Sequence, residues 1–142
     1  MRVVIVVPTY NERENLPAFL EKVRQYAGGA DVLIVDDNSP DGTGQLADAL
    51  AAESGGRISV LHRRAKEGLG RAYVAGFGRA LEMGYDILLQ MDADLSHDPA
   101  SIPDFLERIQ DCGLVVGSRY VGGIRVVNWD FKRLLLSKAA TL

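Results

Sequence analysis

Short runs of aliphatic and β-branched residues alternate along the chain with longer segments in which apolar residues recur every three or four positions. That alternation predicts parallel strands joined by crossover helices, an α/β fold. The strands fall at about Arg2 to Pro8, Val32 to Asp36, Ile58 to Leu61, Asp86 to Met91 and Leu114 to Gly117. Their near-continuous apolar character suits strands covered on both faces. Between them, Leu16, Phe19, Leu20, Val23 and Tyr26 mark a first helix, and Leu46, Ala49 and Leu50 a second with Thr43 as its expected cap. A third helix runs from about Leu69 to Met83, and Ile102, Phe105, Leu106 and Ile109 mark a fourth. A last helix is expected to begin near Asp130 and to be unfinished at Leu142, so the chain reads as a C-terminally incomplete piece.

With 142 residues, one core and one domain over 1–142 is the expectation. Hydrophobic residues make up 47% and charged residues 25%, the balance of a globular protein that can bury a core. A formal charge of -3 gives no cationic field for duplex nucleic acid, which is set aside as a partner. Cys112 has no second cysteine to pair with, and His62 and His97 are too few to build a zinc cluster. A reducing, cytoplasmic setting follows as the default. The opening run Val3 to Val7 is too short for a signal-peptide core, and no stretch approaches the ~18 apolar residues of a spanning helix.

Polar and glycine-bearing clusters sit just after the apolar strands, at Thr9 to Asn15, Asp36 to Thr43, Asp92 to Asp98 and Ser118 to Gly123. Open α/β sheets bind ligands at the carboxyl ends of their strands, so these clusters can converge on one crevice. Asp92 and Asp94 are two apart, and persisting extended geometry would turn both carboxylates the same way, as a hard divalent cation requires. Turn residues at a strand end are the plainer account of that pair. Of Asp36 and Asp37, one can hydrogen-bond a base or ribose, while Ser39 to Thr43 is explained as a turn and a cap. Asn11 with Glu14 reads as a capping box. The first strand is followed by no glycine-rich turn, which argues against a dinucleotide site, and no phosphate loop of the Gly-Lys-Ser/Thr kind occurs. Gly68 and Gly70 read as a loop into the third helix, Gly76 and Gly78 as close-packing positions, and His97 as a surface histidine near the acidic pair. Arg119 at the end of the fifth strand can brace a phosphate, and Arg133 and Ser137, four apart, share a helix face with Lys132 and Lys138 nearby.

The strings VVPTYNERENL, VDDNSPDGT, GLGRAYVAGF, MDADLSHDP, GSRY and NWDFKRLLLS occur in an order that resembles the dolichol-phosphate (polyprenol-phosphate) mannosyltransferase branch of the family 2 glycosyltransferases, over about residues 3 to 138. The resemblance implies a GT-A fold and inverting transfer of mannose from GDP-mannose to a polyprenyl phosphate, with Mg²⁺ or Mn²⁺. Carried over by position, Pro8, Tyr10, Glu12, Val35, Asp37, Asp92 and Ala93 would contact GDP-mannose. Asp94 would be the principal metal ligand, with Asp92 assisting. Arg119 would contact phosphate, and Arg133 and Ser137 would hold the acceptor phosphate. The pattern departs at Ser96, where some relatives carry Gln, which leaves a third metal ligand unassigned. A lipid acceptor implies peripheral association with the cytoplasmic face of a membrane.

That mechanism agrees with the residues. A phosphate monoester, with a second pKa of about 6, is already anionic at neutral pH and needs no protein base. Catalysis then rests on positioning and on charge neutralisation at the departing GDP. Two alternatives share parts of the pattern. A sugar-nucleotide transferase with another donor, such as UDP-glucose, or another acceptor would use nearly the same strand-end chemistry. A receiver-like phosphorylation switch would instead place its acidic pair after the first strand and a lysine after the fifth.

Overall fold

The computed structural model describes residues 1–118. Side chains of the first strand, β1 (Val3–Thr9), alternate between two cores: Ile5 and Val7 enter one apolar cluster, Val4 and Val6 the other. The second strand, β2 (Asp31–Asp36), repeats the split, with Val32 and Ile34 on the first side and Leu33 and Val35 on the second. Both faces are apolar because both are covered. Helix α1 (Leu16–Ala27) closes the first side with Leu16, Phe19 and Val23, and α2 (Thr43–Glu53) adds Ala47. Helix α3 (Leu69–Glu82) closes the second with Ala72, Tyr73 and Ala80. Strands β3 (Ile58–His62) and β4 (Ile87–Gln90) complete the sheet. Helix α4 (Ile102–Arg108), between the 3₁₀ turns Pro99–Ser101 and Ile109–Asp111, brings Ile102 into the first cluster.

All pairings are parallel and the order is β3-β2-β1-β4. The chain moves outward from β1 to β3, then returns to pair β4 with the other side of β1. The direction of winding reverses between β1 and β4, which is where an open sheet of this kind has its ligand crevice. Receiver folds place the third strand on the far side of the first, so the receiver-like alternative does not fit this order.

Four of the expected strands and four helices are present. The fifth strand is not: Leu114–Gly117 joins no ladder among the described residues, and Leu114 and Val116 are 77% and 78% exposed. A four-residue apolar run only biases the chain toward strand, and here Gly117 lies against the Phe105 ring instead. Thr43 is the first residue of α2 rather than its cap. Gly42, at φ 87°, holds the cap position, and Asp41 Oδ1 accepts from the Thr43 N–H (2.9 Å) and hydroxyl (2.5 Å). The helix expected near Asp130, Arg119, Arg133 and Ser137 lie outside the described residues.

Of the two glycines read as close-packing positions, only Gly76 is one. A Cβ there would collide with Val6 Cγ1 and Val35 Cγ2, whereas Gly78 is exposed and a Cβ would meet nothing within 4 Å. Gly76→Ala is expected to lower unfolding free energy by about 1–3 kcal/mol, because overpacking separates α3 from β1 and β2. Gly78→Ala should raise it by up to about 1 kcal/mol through helix propensity alone. Chemical denaturation of the two variants measures the difference, and equal effects would contradict the packing assigned to Gly76.

Candidate active site

The loops leaving β1 and β2 are laced together. Asp36, 2% exposed, accepts hydrogen bonds from Thr9 Oγ1 (2.9 Å), the Ser39 N–H (3.1 Å) and Ser39 Oγ (2.6 Å). The β2 loop in turn accepts three backbone N–H groups of the β1 loop: Asn11 to Ser39 Oγ, Glu12 to Thr43 Oγ1 and Arg13 to Asp41 Oδ2, at 3.0–3.2 Å. The Thr43 hydroxyl holds the Asp41 carboxyl below the usual carboxylate range. These bonds replace the expected capping box. Asn11 stands at φ 59°, and α1 begins at Leu16 after Asn15, which makes no side-chain cap and instead donates Nδ2–H to Glu12 Oε2.

Asp37 has the opposite role from its neighbour. Its Oδ1 is 2.7 Å from Arg63 Nη1, both side chains are largely buried, and the other arm of Arg63 reaches Glu67 at 2.7 Å. Asp36 therefore fastens loops, while Asp37 borders the crevice with its cation beside it.

The third loop follows β4. Extended geometry ends at Gln90 and the chain turns at Ala93 and Asp94, so the two carboxylates meet in the cleft through the turn rather than by strand alternation. Asp92 Oδ1 accepts from the Tyr73 hydroxyl at 2.7 Å. Burial, reinforced by Asp92, pushes the Tyr73 phenol well above its ordinary pKa, so it stays a donor. The Asp92 N–H donates to His97 Nδ1 at 3.1 Å, which makes His97 part of this loop rather than a plain surface histidine. Asp94 Oδ1 accepts from the Ser96 N–H at 2.9 Å. Between them Leu95 adopts φ 61°, a left-handed conformation that costs a residue with a Cβ about 1–2 kcal/mol. Asn38, at φ 56°, and Asn11 are also left-handed, so each of the three loops carries one such residue, a placement typical of functional sites.

Together the loops enclose a cleft of about 260 Å³. Of the residues singled out from the sequence, Pro8, Tyr10, Glu12, Asp37, Asp92, Ala93 and Asp94 line it. Val35 does not: it is fully buried on β2, paired in register with Pro8. Sequence reasoning missed Lys66, which also lines the cleft and holds its Nζ 4.0 Å over the Tyr10 ring. It also missed Tyr73. Its only signal is its position on the buried face of α3, one turn before Phe77, with which it stacks at 5.8 Å.

A parallel sheet of this order with an acid-lined cleft at its switch point defines an open, doubly wound α/β protein that binds its ligand at the carboxyl ends of the strands. The chain belongs to Glycosyl transferase family 2, whose profile matches residues 4–139. It is 51% identical over 142 residues to the undecaprenyl-phosphate mannosyltransferase of Micrococcus luteus, covering 100% of this chain and 58% of that protein. It is 39% identical over 145 residues to the dolichol-phosphate mannosyltransferase of Pyrococcus furiosus, covering 100% of this chain and 40% of that one. The chain thus spans about half the length of these curated relatives. Among solved structures it resembles a mannosyltransferase from Pyrobaculum calidifontis in complex with GDP-Man and Mn²⁺, with a TM-score of 0.62 and 25% identity over 78% of this chain and 32% of that one.

Proposed function

We propose that this chain forms the nucleotide-binding part of an inverting mannosyltransferase that moves mannose from GDP-mannose to a polyprenyl phosphate. The reading is carried by one observation: Pro8, Tyr10, Glu12, Asp37, Asp92, Ala93 and Asp94, spread over three separate loops, gather in a single cleft. The relatives named as polyprenyl-phosphate and dolichol-phosphate mannosyltransferases support the sugar and the acceptor, and the structural neighbour supports GDP-mannose. In this reading Asp37 contacts the nucleoside, Tyr10 and Pro8 wall the cleft, and Asp92 and Asp94 face the diphosphate.

The acidic pair fits a hard divalent cation. Both carboxylates line the cleft, and each commits Oδ1 to a protein donor, which fixes its orientation. Among the described residues no cluster of three or more His, Cys, Asp or Glu gathers to hold a metal. The fit rests on the two carboxylates alone, which match what Mg²⁺ or Mn²⁺ takes from a protein when water and substrate phosphates complete the shell. When bound, such an ion neutralises charge on the departing diphosphate. The residues do the rest: they orient the donor, and Lys66 adds the one cation among the described lining residues. In the transfer, an acceptor phosphate oxygen bonds to the anomeric carbon as the bond from that carbon to the GDP oxygen breaks. GDP leaves with the electron pair, and the configuration inverts. Among the described residues no helix is long and apolar enough to cross a membrane.

Melting curves with GDP, GDP-mannose, UDP and UDP-glucose, each with Mg²⁺ or Mn²⁺, test the donor. GDP and GDP-mannose should raise Tm by several degrees at saturating concentration, corresponding to about 2.7 kcal/mol at a hundredfold excess over Kd. An equal or larger shift with UDP-glucose would overturn the assignment of donor. Incubation of radiolabelled GDP-mannose with the whole protein and a short polyprenyl phosphate should yield lipid-linked mannose.

A further inference from the structure

The backbone around Asp92 has lost the sheet that would otherwise position it. The last ladder bond is from the Met91 N–H to the Val6 carbonyl, at 3.3 Å, and beyond it the chain turns through the left-handed Leu95. Two side chains from different places take over. Tyr73, 5% exposed on α3 and stacked on Phe77, reaches Asp92 Oδ1 at 2.7 Å. His97, five residues beyond Asp92, accepts the Asp92 N–H on Nδ1 at 3.1 Å. That bond requires a bare Nδ1, so the ring's hydrogen is on Nε2, which lies 3.9 Å from Asp92 Oδ2, too far for a hydrogen bond. Asp92 is thereby gripped by its carboxylate from the α3 side and by its backbone from its own loop, while lining the cleft.

We propose that Tyr73 and His97 are the positioning residues of the acidic pair, fixing Asp92 so that it presents a carboxylate oxygen to the divalent cation. The inference rests on the reading of Asp92 and Asp94 as cation ligands. Tyr73 works as a buried strut whose hydroxyl is held in place by ring packing. His97 ties the backbone of the turn, so that neither the carbonyl ladder nor the exposed Asp94 has to define it. Outer partners of this kind typically tune metal affinity 10–100-fold without touching the metal.

The test is Mn²⁺ titration in the presence of GDP, followed by the electron paramagnetic resonance signal of free Mn²⁺, with GDP affinity in the absence of metal as a second readout. Tyr73→Phe and His97→Leu should each weaken Mn²⁺ about 10–100-fold and leave metal-free GDP binding unchanged. His97→Asn should recover part of the loss, because its side-chain oxygen can accept the Asp92 N–H in place of Nδ1. A merely structural role would lower metal-free GDP binding in step with Mn²⁺ binding, and that result overturns the proposal. So does wild-type Mn²⁺ affinity in both Tyr73→Phe and His97→Leu when Asp94→Asn has lost it. Retention of Mn²⁺ by Asp94→Asn as well would show that the cation reading itself is wrong. Should Tyr73→Phe melt early, the comparison of His97→Leu with His97→Asn decides alone.

Discussion

Asp94→Asn is expected to remove nearly all metal-dependent GDP binding while leaving the loop intact. Asp94 is exposed at the cleft, and its Oδ1 accepts the Ser96 N–H at 2.9 Å, a bond that an asparagine oxygen preserves. The substitution keeps that bond and deletes the carboxylate charge. At an effective dielectric of about 20, unit charges about 4 Å apart interact by about 4 kcal/mol. Beside a divalent ion that unit-charge figure is a lower bound, so the loss is worth at least roughly a thousandfold in affinity. Asp98→Asn is the local control. Asp98 accepts the Ala100 N–H at 3.0 Å at the start of the 3₁₀ turn, and asparagine caps such a turn as well as aspartate does. Calorimetric titration of GDP with Mg²⁺ should give wild-type affinity for Asp98→Asn. Equal affinities for wild type and Asp94→Asn would remove the acidic pair from the metal site.

The four strands of the sheet were legible because both faces of the sheet are covered, and an unbroken aliphatic run as short as Val3 to Val7 fits a strand buried on both sides better than a helix. The strand-end clusters were legible for the topological reason that a parallel sheet collects them on one edge. What local spacing could not show is which bonds cross between loops. Thr43 and Asn11 both look like caps by their offsets, yet Thr43 accepts an N–H from Glu12, and Asn11 donates its own to Ser39. Both bonds span about thirty positions of sequence. The same limit hid the division of labour at Asp36 and Asp37, which depends on Thr9 and Ser39 reaching one carboxylate and Arg63 the other. Tyr73 was hidden by periodicity itself, since an aromatic on a buried helix face reads as core until its hydroxyl is found on Asp92. Gly78 shares its residue type with Gly76, but it lies on the exposed side of α3, where a Cβ would meet nothing within 4 Å.

Arg63→Met is expected to destabilise the protein by about 3 kcal/mol and to weaken GDP binding at the same time. Arg63 follows β3, and its backbone N–H donates to the Asp36 carbonyl at 2.8 Å, so its position is set by the sheet. Its side chain is 11% exposed and that of Asp37 5%, with 2.7 Å between Nη1 and Oδ1. Methionine keeps the aliphatic bulk of the side chain and removes the charge, leaving a buried carboxylate without a cation. Breaking a buried pair from one side typically costs about 3–5 kcal/mol, and the low end applies because Asp37 borders an open cleft that water can enter. Arg63→Lys should fall between, since an ammonium cannot bridge Asp37 and Glu67 as the guanidinium fork does. The double variant Arg63→Met with Asp37→Asn removes the stranded charge, so it should be more stable than Arg63→Met alone while still failing to hold the nucleoside. Urea denaturation of the single and double variants forms the cycle that isolates the pair. Stability of Arg63→Met within about 0.5 kcal/mol of wild type would place it among ordinary surface substitutions and show that Arg63 does not hold Asp37 at the cleft.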